Sequence, residues 1–153
     1  MSAFSLSPSQ VNVAQLPLVN AIKTVQGNGR RTLYVFTDPD CPYCRQLEHA
    51  LAQLKNVTIY RFEYPLASLH PNATEVAQRI WCAPNRAAAW DAYEANHALP
   101  ADNGTCANPI AANVAMASSL GLDGTPDLIA ANGRVHEGMM SLDDLEHFVG
   151  GAS

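Results

Sequence analysis

The chain has 153 residues, of which 48% are hydrophobic and 15% charged, and its formal net charge is −5. This length and composition are typical of one globular domain with its own core, and they exclude a large disordered region. The negative charge disfavours nucleic acid and anionic membrane surfaces as partners, and no apolar stretch approaches the ~20 residues that span a bilayer.

The N-terminal part of the chain is predicted to hold a linker remnant followed by a short helix. The linker remnant covers residues 1–15 and lacks the basic and apolar regions of a secretory signal. The helix extends from Leu16 to Gly27, where glycine favours a helix end. Its apolar face would be formed by four residues at helical spacing, Leu18, Ala21, Ile22 and Val25.

A strand–helix–strand unit follows. The run from Arg31 to Thr37 has a continuous apolar centre, which predicts a strand buried on both faces. A helix from about Pro42 to Leu54 and a second strand from Val57 to Tyr64 come next. This order implies that the two strands pair in parallel through a right-handed crossover.

Between the first strand and the helix lies the tetrapeptide Cys41-Pro42-Tyr43-Cys44. A dithiol at this spacing is typical of thiol–disulfide exchange. Cys41 would cap the helix, where free N–H groups and the helix dipole favour the thiolate, and Cys44 would be sheltered one turn later. Pro42 suits the first helical position, and Tyr43 is expected to line a substrate groove. The alternative is half of a zinc site, but no second Cys-x-x-Cys or Cys/His motif is present, so no metal is expected.

The segment from about residue 71 to residue 108 is predicted to be a helical insertion. One helix extends from Ala73 to Trp81, and Asn85 would cap a second helix after the break at Pro84. Three aromatic residues at helical spacing are assigned to packing: Trp81, Trp90 and Tyr93. A polar loop from Pro100 to Asn108 ends the insertion.

The C-terminal part predicts a helix, a hairpin and a last helix. Asn108-Pro109 opens the first of these, which would bury Ile110, Val114 and Ala117 and end at Gly121. Asn132-Gly133 lies between two short predicted strands, residues 127–131 and 134–137, which is a strong hairpin signal. Ser141 and Asp144 form a capping box for the last helix.

Cys82 and Cys106 lack metal-ligand spacing, which favours a structural disulfide over two free thiols. Because such bonds persist in oxidising compartments, an exported, periplasmic location is expected.

The order of these elements resembles the thioredoxin fold, an α/β fold with a mixed central sheet flanked by helices, here with a helical insertion. At the residue level, the chain resembles the catalytic domain of the DsbC/DsbG family of periplasmic disulfide isomerases. The resemblance depends on the segment from Phe36 to Cys44, the Cys82/Cys106 pair and Gly124-Thr125-Pro126. It implies one thioredoxin-like domain over residues 16–153, with the insertion at about 71–108.

The resemblance also implies roles for individual residues. Cys41 would be the nucleophile and Cys44 the resolving cysteine, with no cofactor. Pro126 would be a cis-proline facing the dithiol, with Thr125 beside it. The Cys82–Cys106 pair would be the structural disulfide. The implied partners are protein substrates with disulfides or oxidised cysteines, and a DsbD-like membrane thiol reductant.

Three further expectations concern the surroundings of the dithiol and the oligomeric state. Asp40 is expected to be a solvated turn residue. In thioredoxins a buried acid six residues before the first cysteine assists proton transfer, and Val35 stands at that position here, so no dedicated base is expected. Family members carry an N-terminal dimerisation domain, whereas about fifteen residues precede Leu16, so the chain as given is expected to be a monomer.

Two other functions remain open from the sequence. A glutaredoxin-like, glutathione-dependent reductase shares the Cys-Pro-Tyr-Cys tetrapeptide, but such domains are shorter and lack the insertion. A non-enzymatic holdase or adaptor would use the groove by Pro126 and would not need Cys41.

Overall fold

Five strands form one mixed sheet with helices on both of its faces in the computed structural model, which describes residues 10–150. In chain order the elements are β1 (Ile22–Gln26), β2 (Arg31–Thr37), α1 (Pro42–Leu51), β3 (Val57–Glu63), α2 (Ala73–Cys82), α3 (Arg86–Asn96), α4 (Ile110–Ser119), β4 (Asp127–Ala130), β5 (Val135–Glu137) and α5 (Leu142–Val149). The strands lie in the order β1-β3-β2-β4-β5. This architecture confirms the predicted thioredoxin fold.

The central pair β2–β3 is parallel and the other three pairs are antiparallel. In the parallel pair Leu33 lies beside Ile59 and Thr37 beside Glu63. The predicted parallel pairing is therefore confirmed, with α1 as the connecting helix. Because α1 begins directly after the end of β2, its N-terminus lies at the edge of the sheet where β2 and β3 end.

The two sheet faces have separate cores, because successive side chains of a strand point to opposite faces. Leu33 and Val35 of β2 lie in one cluster, together with Leu47 and Leu51 of α1 and Leu145 of α5. Another cluster contains Tyr34 and Phe36 of β2, packed with residues of β3 and α4. A third cluster, around the fully buried Trp90, holds α2 and α3 against Ile22.

The predicted helix over residues 16–27 is wrong. The chain instead forms two 3₁₀ turns, Val13–Gln15 and Leu18–Asn20, followed by β1. Ile22 is buried whereas Val25 is 54% exposed, so the two residues do not share a buried face. The apolar spacing fits a helix, but antiparallel pairing with β3 satisfies the backbone groups of this segment along the sheet edge.

The predicted linker remnant, residues 1–15, lies mostly outside the described residues. Within the described part, Val11 is buried and its N–H donates to the carbonyl of Gly133 at 2.8 Å. Gln10 forms an isolated bridge with Arg134. These contacts attach the start of the described chain to the β4–β5 hairpin.

The helices of the insertion and of the C-terminal part form as predicted, with differences at their ends and faces. The Asn85 side chain accepts from the N–H of Ala88, and the Ser141 hydroxyl accepts from the N–H of Asp144. Helix α1 ends at Leu51, about one turn before the predicted end.

Helix α4 buries Ile110 and Ala117 as predicted, but the prediction for Val114 is wrong, because that side chain is 36% exposed. Its place on the buried face is taken by Asn113. The Asn113 amide donates to the carbonyls of Glu63 and Asn20, so hydrogen bonding decides which residue faces the sheet.

Candidate active site

The two cysteines of the tetrapeptide lie at the N-terminus of α1. Cys41 is the N-cap in extended geometry, and Pro42 is in the first helical turn. Cys44 lies within the first turn and is fully buried, whereas Cys41 is 5% exposed. Both cysteines are free thiols. The helix start thus places one thiol at the edge of the surface and the other beneath it.

The segment Thr125-Pro126 lies against Cys41. The Cys41 sulfur is 3.6 Å from the carbonyl oxygen of Thr125, and the Thr125–Pro126 peptide bond is cis. Pro126 is buried, and its carbonyl accepts from the N–H of Gly138 at 2.7 Å. These contacts bring residues that are 84 positions apart in the sequence to one site.

The exposed part of the tetrapeptide is formed by Pro42 and Tyr43. Both are exposed, and the Tyr43 side chain has 62% of its surface accessible. Tyr43 therefore presents an aromatic ring to solvent next to the Cys41 thiol.

The environment separates the pKa values of the two thiols. A hydrogen bond with the Cys44 side chain is the largest cause that lowers the pKa of Cys41, to about 5, and burial opposes it. The Thr125 side chain and the backbone N–H groups of Cys44 and Tyr43 lower this pKa further. Burial, with the Cys41 interaction second, raises the pKa of Cys44 far above its usual range. Cys41 is thus the thiolate at neutral pH and Cys44 the thiol.

Asp38 organises the loop before the dithiol. Its buried carboxylate accepts from the N–H groups of Asp40 and Leu66, both at 2.8 Å, and lies 2.7 Å from Nδ1 of His70. Its own N–H donates to the Cys44 sulfur at 3.5 Å. Sequence reasoning missed His70, because nothing in the sequence links it to a residue 32 positions away.

The expectation that Asp40 is a solvated turn residue is wrong. Asp40 is half-buried, and its carboxylate accepts a hydrogen bond from the Tyr93 hydroxyl of α3. Arg45, also missed, donates to the carbonyls of Pro39 and Glu94, at 3.3 Å and 3.2 Å. Helix α3 of the insertion therefore contacts the loop before the dithiol, in addition to packing its own aromatic residues.

Cys82 and Cys106 are joined by a disulfide with a Cα–Cα distance of 5.7 Å. The bond links the end of α2 to the loop that precedes α4. Among residues 10–150, no group of three or more His, Cys, Asp or Glu side chains could hold a metal ion.

Comparison with known proteins decides the family. The sequence matches the family of thioredoxin-like domains over residues 18–152. The chain belongs to the thioredoxin-like family. A disulfide interchange protein from Neisseria gonorrhoeae is 40% identical, with a TM-score of 0.84, over 88% of this chain and 96% of that one.

Curated relatives of this thioredoxin-like chain carry the name DsbC, which confirms the resemblance predicted from the sequence. The probable thiol:disulfide interchange protein DsbC of Bordetella pertussis is 36% identical over 90% of this chain and 48% of its own length. DsbC of Escherichia coli K12 is 28% identical over 78% of this chain and 51% of its own length. The chain thus spans about half the length of the curated relatives it matches.

We expect iodoacetamide to alkylate Cys41 before Cys44 in the reduced protein. Because the pKa of Cys41 is lowered to about 5, its alkylation rate should rise with pH through that value and be nearly constant from pH 6 to 8. Mass spectrometry of the labelled peptide, across a pH series, measures this directly. A rate that still rises steeply above pH 7, or earlier labelling of Cys44, would contradict the assignment.

Thr125→Val should raise the pKa of Cys41, because the Thr125 side chain is one of the groups that lower it. The ultraviolet absorbance of the thiolate, titrated against pH, reports this pKa. Thr125→Ser is the matched control, since it keeps the hydroxyl and should leave the titration close to that of the unmodified chain. Equal titrations for the valine and serine variants would show that the hydroxyl has no such effect.

Proposed function

We propose that this chain is a thiol:disulfide oxidoreductase and isomerase acting on protein disulfides, with Cys41 as nucleophile and Cys44 as resolving cysteine. The observation that carries the proposal is the asymmetry of the dithiol: a thiolate at the surface edge, with a pKa lowered to about 5, lies above a fully buried thiol. Relatives named as thiol:disulfide interchange proteins support the same chemistry.

The proposed reaction begins with attack of the Cys41 thiolate on a substrate disulfide. A Cys41–substrate mixed disulfide forms, and the second substrate sulfur leaves as a thiolate. If a substrate thiolate then attacks the mixed disulfide, the substrate is isomerised and Cys41 returns as the thiolate. If Cys44 attacks instead, the substrate leaves reduced and a Cys41–Cys44 disulfide remains, which an external dithiol must reduce.

Four residues are proposed to bind the substrate segment. Tyr43 and Pro42 offer an exposed surface on one side of Cys41, and Thr125 and Pro126 border it on the other. An extended substrate chain could pair with the Thr125 backbone, as in the addition of a strand to a sheet. The Cys82–Cys106 disulfide is proposed to be structural.

The remaining proposals concern the setting of the protein. We propose one thioredoxin-like domain over residues 16–153 with a helical insertion at about 71–108, acting as a monomer in the periplasm with a DsbD-like reductant. The Cys82–Cys106 disulfide supports an oxidising compartment. In the described part of the chain, none of the helices has the length and apolar character needed to cross a membrane.

The test combines three measurements on one sample of the chain. Insulin reduction, refolding of scrambled ribonuclease and a glutathione-coupled assay separate a reductase, an isomerase and a glutaredoxin-like enzyme. We expect insulin reduction with weak refolding of scrambled ribonuclease, and a monomer in analytical ultracentrifugation. A chain that reduces insulin only when glutathione is present would overturn the proposal in favour of the glutaredoxin-like function.

A further inference from the structure

The backbone of one residue, Asp38, contacts both cysteines of the dithiol. The Asp38 N–H donates to the Cys44 sulfur at 3.5 Å, and the Asp38 carbonyl accepts from the Cys41 N–H at 3.2 Å. A hydrogen bond to a sulfur atom favours the thiolate over the thiol. Burial raises the pKa of Cys44 most, and the Asp38 N–H is one of the groups that oppose this shift. The position of the Asp38 backbone therefore affects how readily the buried Cys44 thiol reacts.

The Asp38 side chain is held by three donors within the described residues. Its carboxylate accepts from the N–H groups of Asp40 and Leu66, both at 2.8 Å. Nδ1 of His70 lies 2.7 Å from the Asp38 Oδ2 atom. Because a carboxylate only accepts hydrogen bonds, Nδ1 carries the hydrogen of this contact. Two of the three donors are backbone groups and the third is a side chain, so a substitution can remove the His70 bond by itself.

His70 is itself fixed in the segment between β3 and α2. Its N–H donates to the carbonyl of Leu66 at 2.8 Å, and its carbonyl accepts from the N–H of Ala73, the first residue of α2, at 3.0 Å. The His70 side chain is 21% exposed, whereas the Asp38 side chain has no exposed surface. Loss of a hydrogen bond is costly for a fully buried carboxylate. Without the imidazole, the Asp38 carboxylate is therefore expected to move towards solvent and to take its backbone with it.

We propose that His70 is a positioning residue for the resolving step, in that it fixes Asp38 so that the Asp38 N–H stays directed at the Cys44 sulfur. The proposal rests on the proposed function, because it concerns the attack of Cys44 on the mixed disulfide. In that step the Cys44 thiol loses its proton to solvent and its sulfur attacks the Cys41 sulfur. The Cys41–Cys44 bond forms, the Cys41–substrate bond breaks, and the substrate leaves as a thiolate. His70 and the Asp38 carboxylate exchange no proton with either sulfur.

The reaction of the reduced chain with the chromogenic disulfide DTNB separates the two steps in one stopped-flow trace. The first release of the aromatic thiolate reports attack by Cys41, and the second reports attack by Cys44 on the mixed disulfide. In His70→Ala the second rate should fall about fivefold or more, because the bond from the Asp38 N–H to the Cys44 sulfur loosens. The first rate should stay unchanged, since neither Asp38 nor His70 is among the groups that lower the Cys41 pKa.

Two conservative variants distinguish the bond from the bulk of the side chain. The amide nitrogen of His70→Asn can take the place of Nδ1, the nitrogen that contacts Asp38, so this variant should restore the second rate to within about twofold of the unmodified chain. The amide of His70→Gln reaches the place of the other ring nitrogen, so this variant should remain as slow as His70→Ala. If the alanine variant fails to fold, the comparison of the asparagine and glutamine variants still tests the proposal.

Hydrogen exchange of the Asp38 amide, followed by NMR, gives a second readout. Exchange should be faster in His70→Ala and His70→Gln and should return to the slow rate in His70→Asn. Tyr93→Phe is the matched control, because it removes another side-chain hydrogen bond to the same loop, the one to the Asp40 carboxylate. In this control the Asp38 amide should stay protected, and both DTNB phases should stay within about twofold of the unmodified chain.

The outcomes distinguish the two proposals. If no fast first phase occurs, the assignment of Cys41 fails and the proposed function with it. If the first phase is normal but His70→Ala and His70→Gln leave the second phase unchanged, the role of His70 is overturned. Equal slowing by His70→Asn or by Tyr93→Phe would also overturn it, because either result indicates a general loosening of the loop. A slow second phase with a protected Asp38 amide would do the same.

Discussion

Cys41→Ser should abolish insulin reduction by this chain, a loss of about a thousandfold or more. At neutral pH the Cys41 thiol is ionised, because its pKa is lowered to about 5, whereas a serine hydroxyl stays neutral. The exchange of one small buried side chain for another of similar shape should leave the fold intact. Turbidity in the insulin assay measures the rate, and circular dichroism checks the structure.

Cys44→Ser is the matched control for this prediction. It keeps the attacking thiolate and removes only the resolving thiol, so the variant should form mixed disulfides with substrate that non-reducing gels detect. The Cys41 pKa should stay low in this variant, because the serine hydroxyl still donates a hydrogen bond, whereas Cys44→Ala removes the donor that is the largest cause of the lowered pKa and should raise it. If Cys41→Ser kept its insulin reductase activity, the chemistry would have to reside elsewhere, as in the holdase or adaptor alternative.

The double variant Cys82→Ser, Cys106→Ser should lose roughly 3.5 kcal/mol of unfolding free energy, because the disulfide closes a loop with a sequence separation of 24 residues. That loss is a large part of the ~5–15 kcal/mol that stabilises a typical domain, and it corresponds to a melting temperature lower by roughly 10 °C. Calorimetry measures both quantities. Cys106 is exposed in a loop, and Arg79 of α2 also contacts this loop by donating to the Asp102 carbonyl.

The same variant should keep its insulin reductase rate, since Cys82 and Cys106 lie at the end of a helix and in a loop rather than at a strand–helix junction. A folded but inactive variant would make this pair a redox relay. A variant with an unchanged melting temperature would mean that the loop is held by its other contacts alone.

Much of the site could be predicted because its signals are local. The spacing of Cys41 and Cys44 after an apolar run specifies a strand, a helix start and two unequal thiols within a dozen residues. Asn132-Gly133 and the Ser141 cap specify a hairpin and a helix start for similar reasons, since turn and cap chemistry involves only neighbouring residues.

Contacts between distant segments could not be predicted in this way. The segment predicted as a helix over residues 16–27 contains β1 instead, because pairing with β3 outweighed an apolar spacing that fits a helix. Asn113 replaced Val114 on the buried face of α4 because the carbonyls of Glu63 and Asn20 needed a donor.

The sequence by itself determined the kind of chemistry and the order of the elements, because the dithiol, the turns and the caps act over a few residues. Only the tertiary structure decided which polar groups lie near the dithiol: His70 on Asp38, Tyr93 on Asp40, and Glu63 as the register partner of Thr37. Each of these pairs joins segments at least 26 residues apart, here counted from Thr37 to Glu63. Burial also shifts the pKa values of carboxyl groups. The pKa of Glu63 is raised because its side chain is fully buried, and no local sequence pattern reveals that burial.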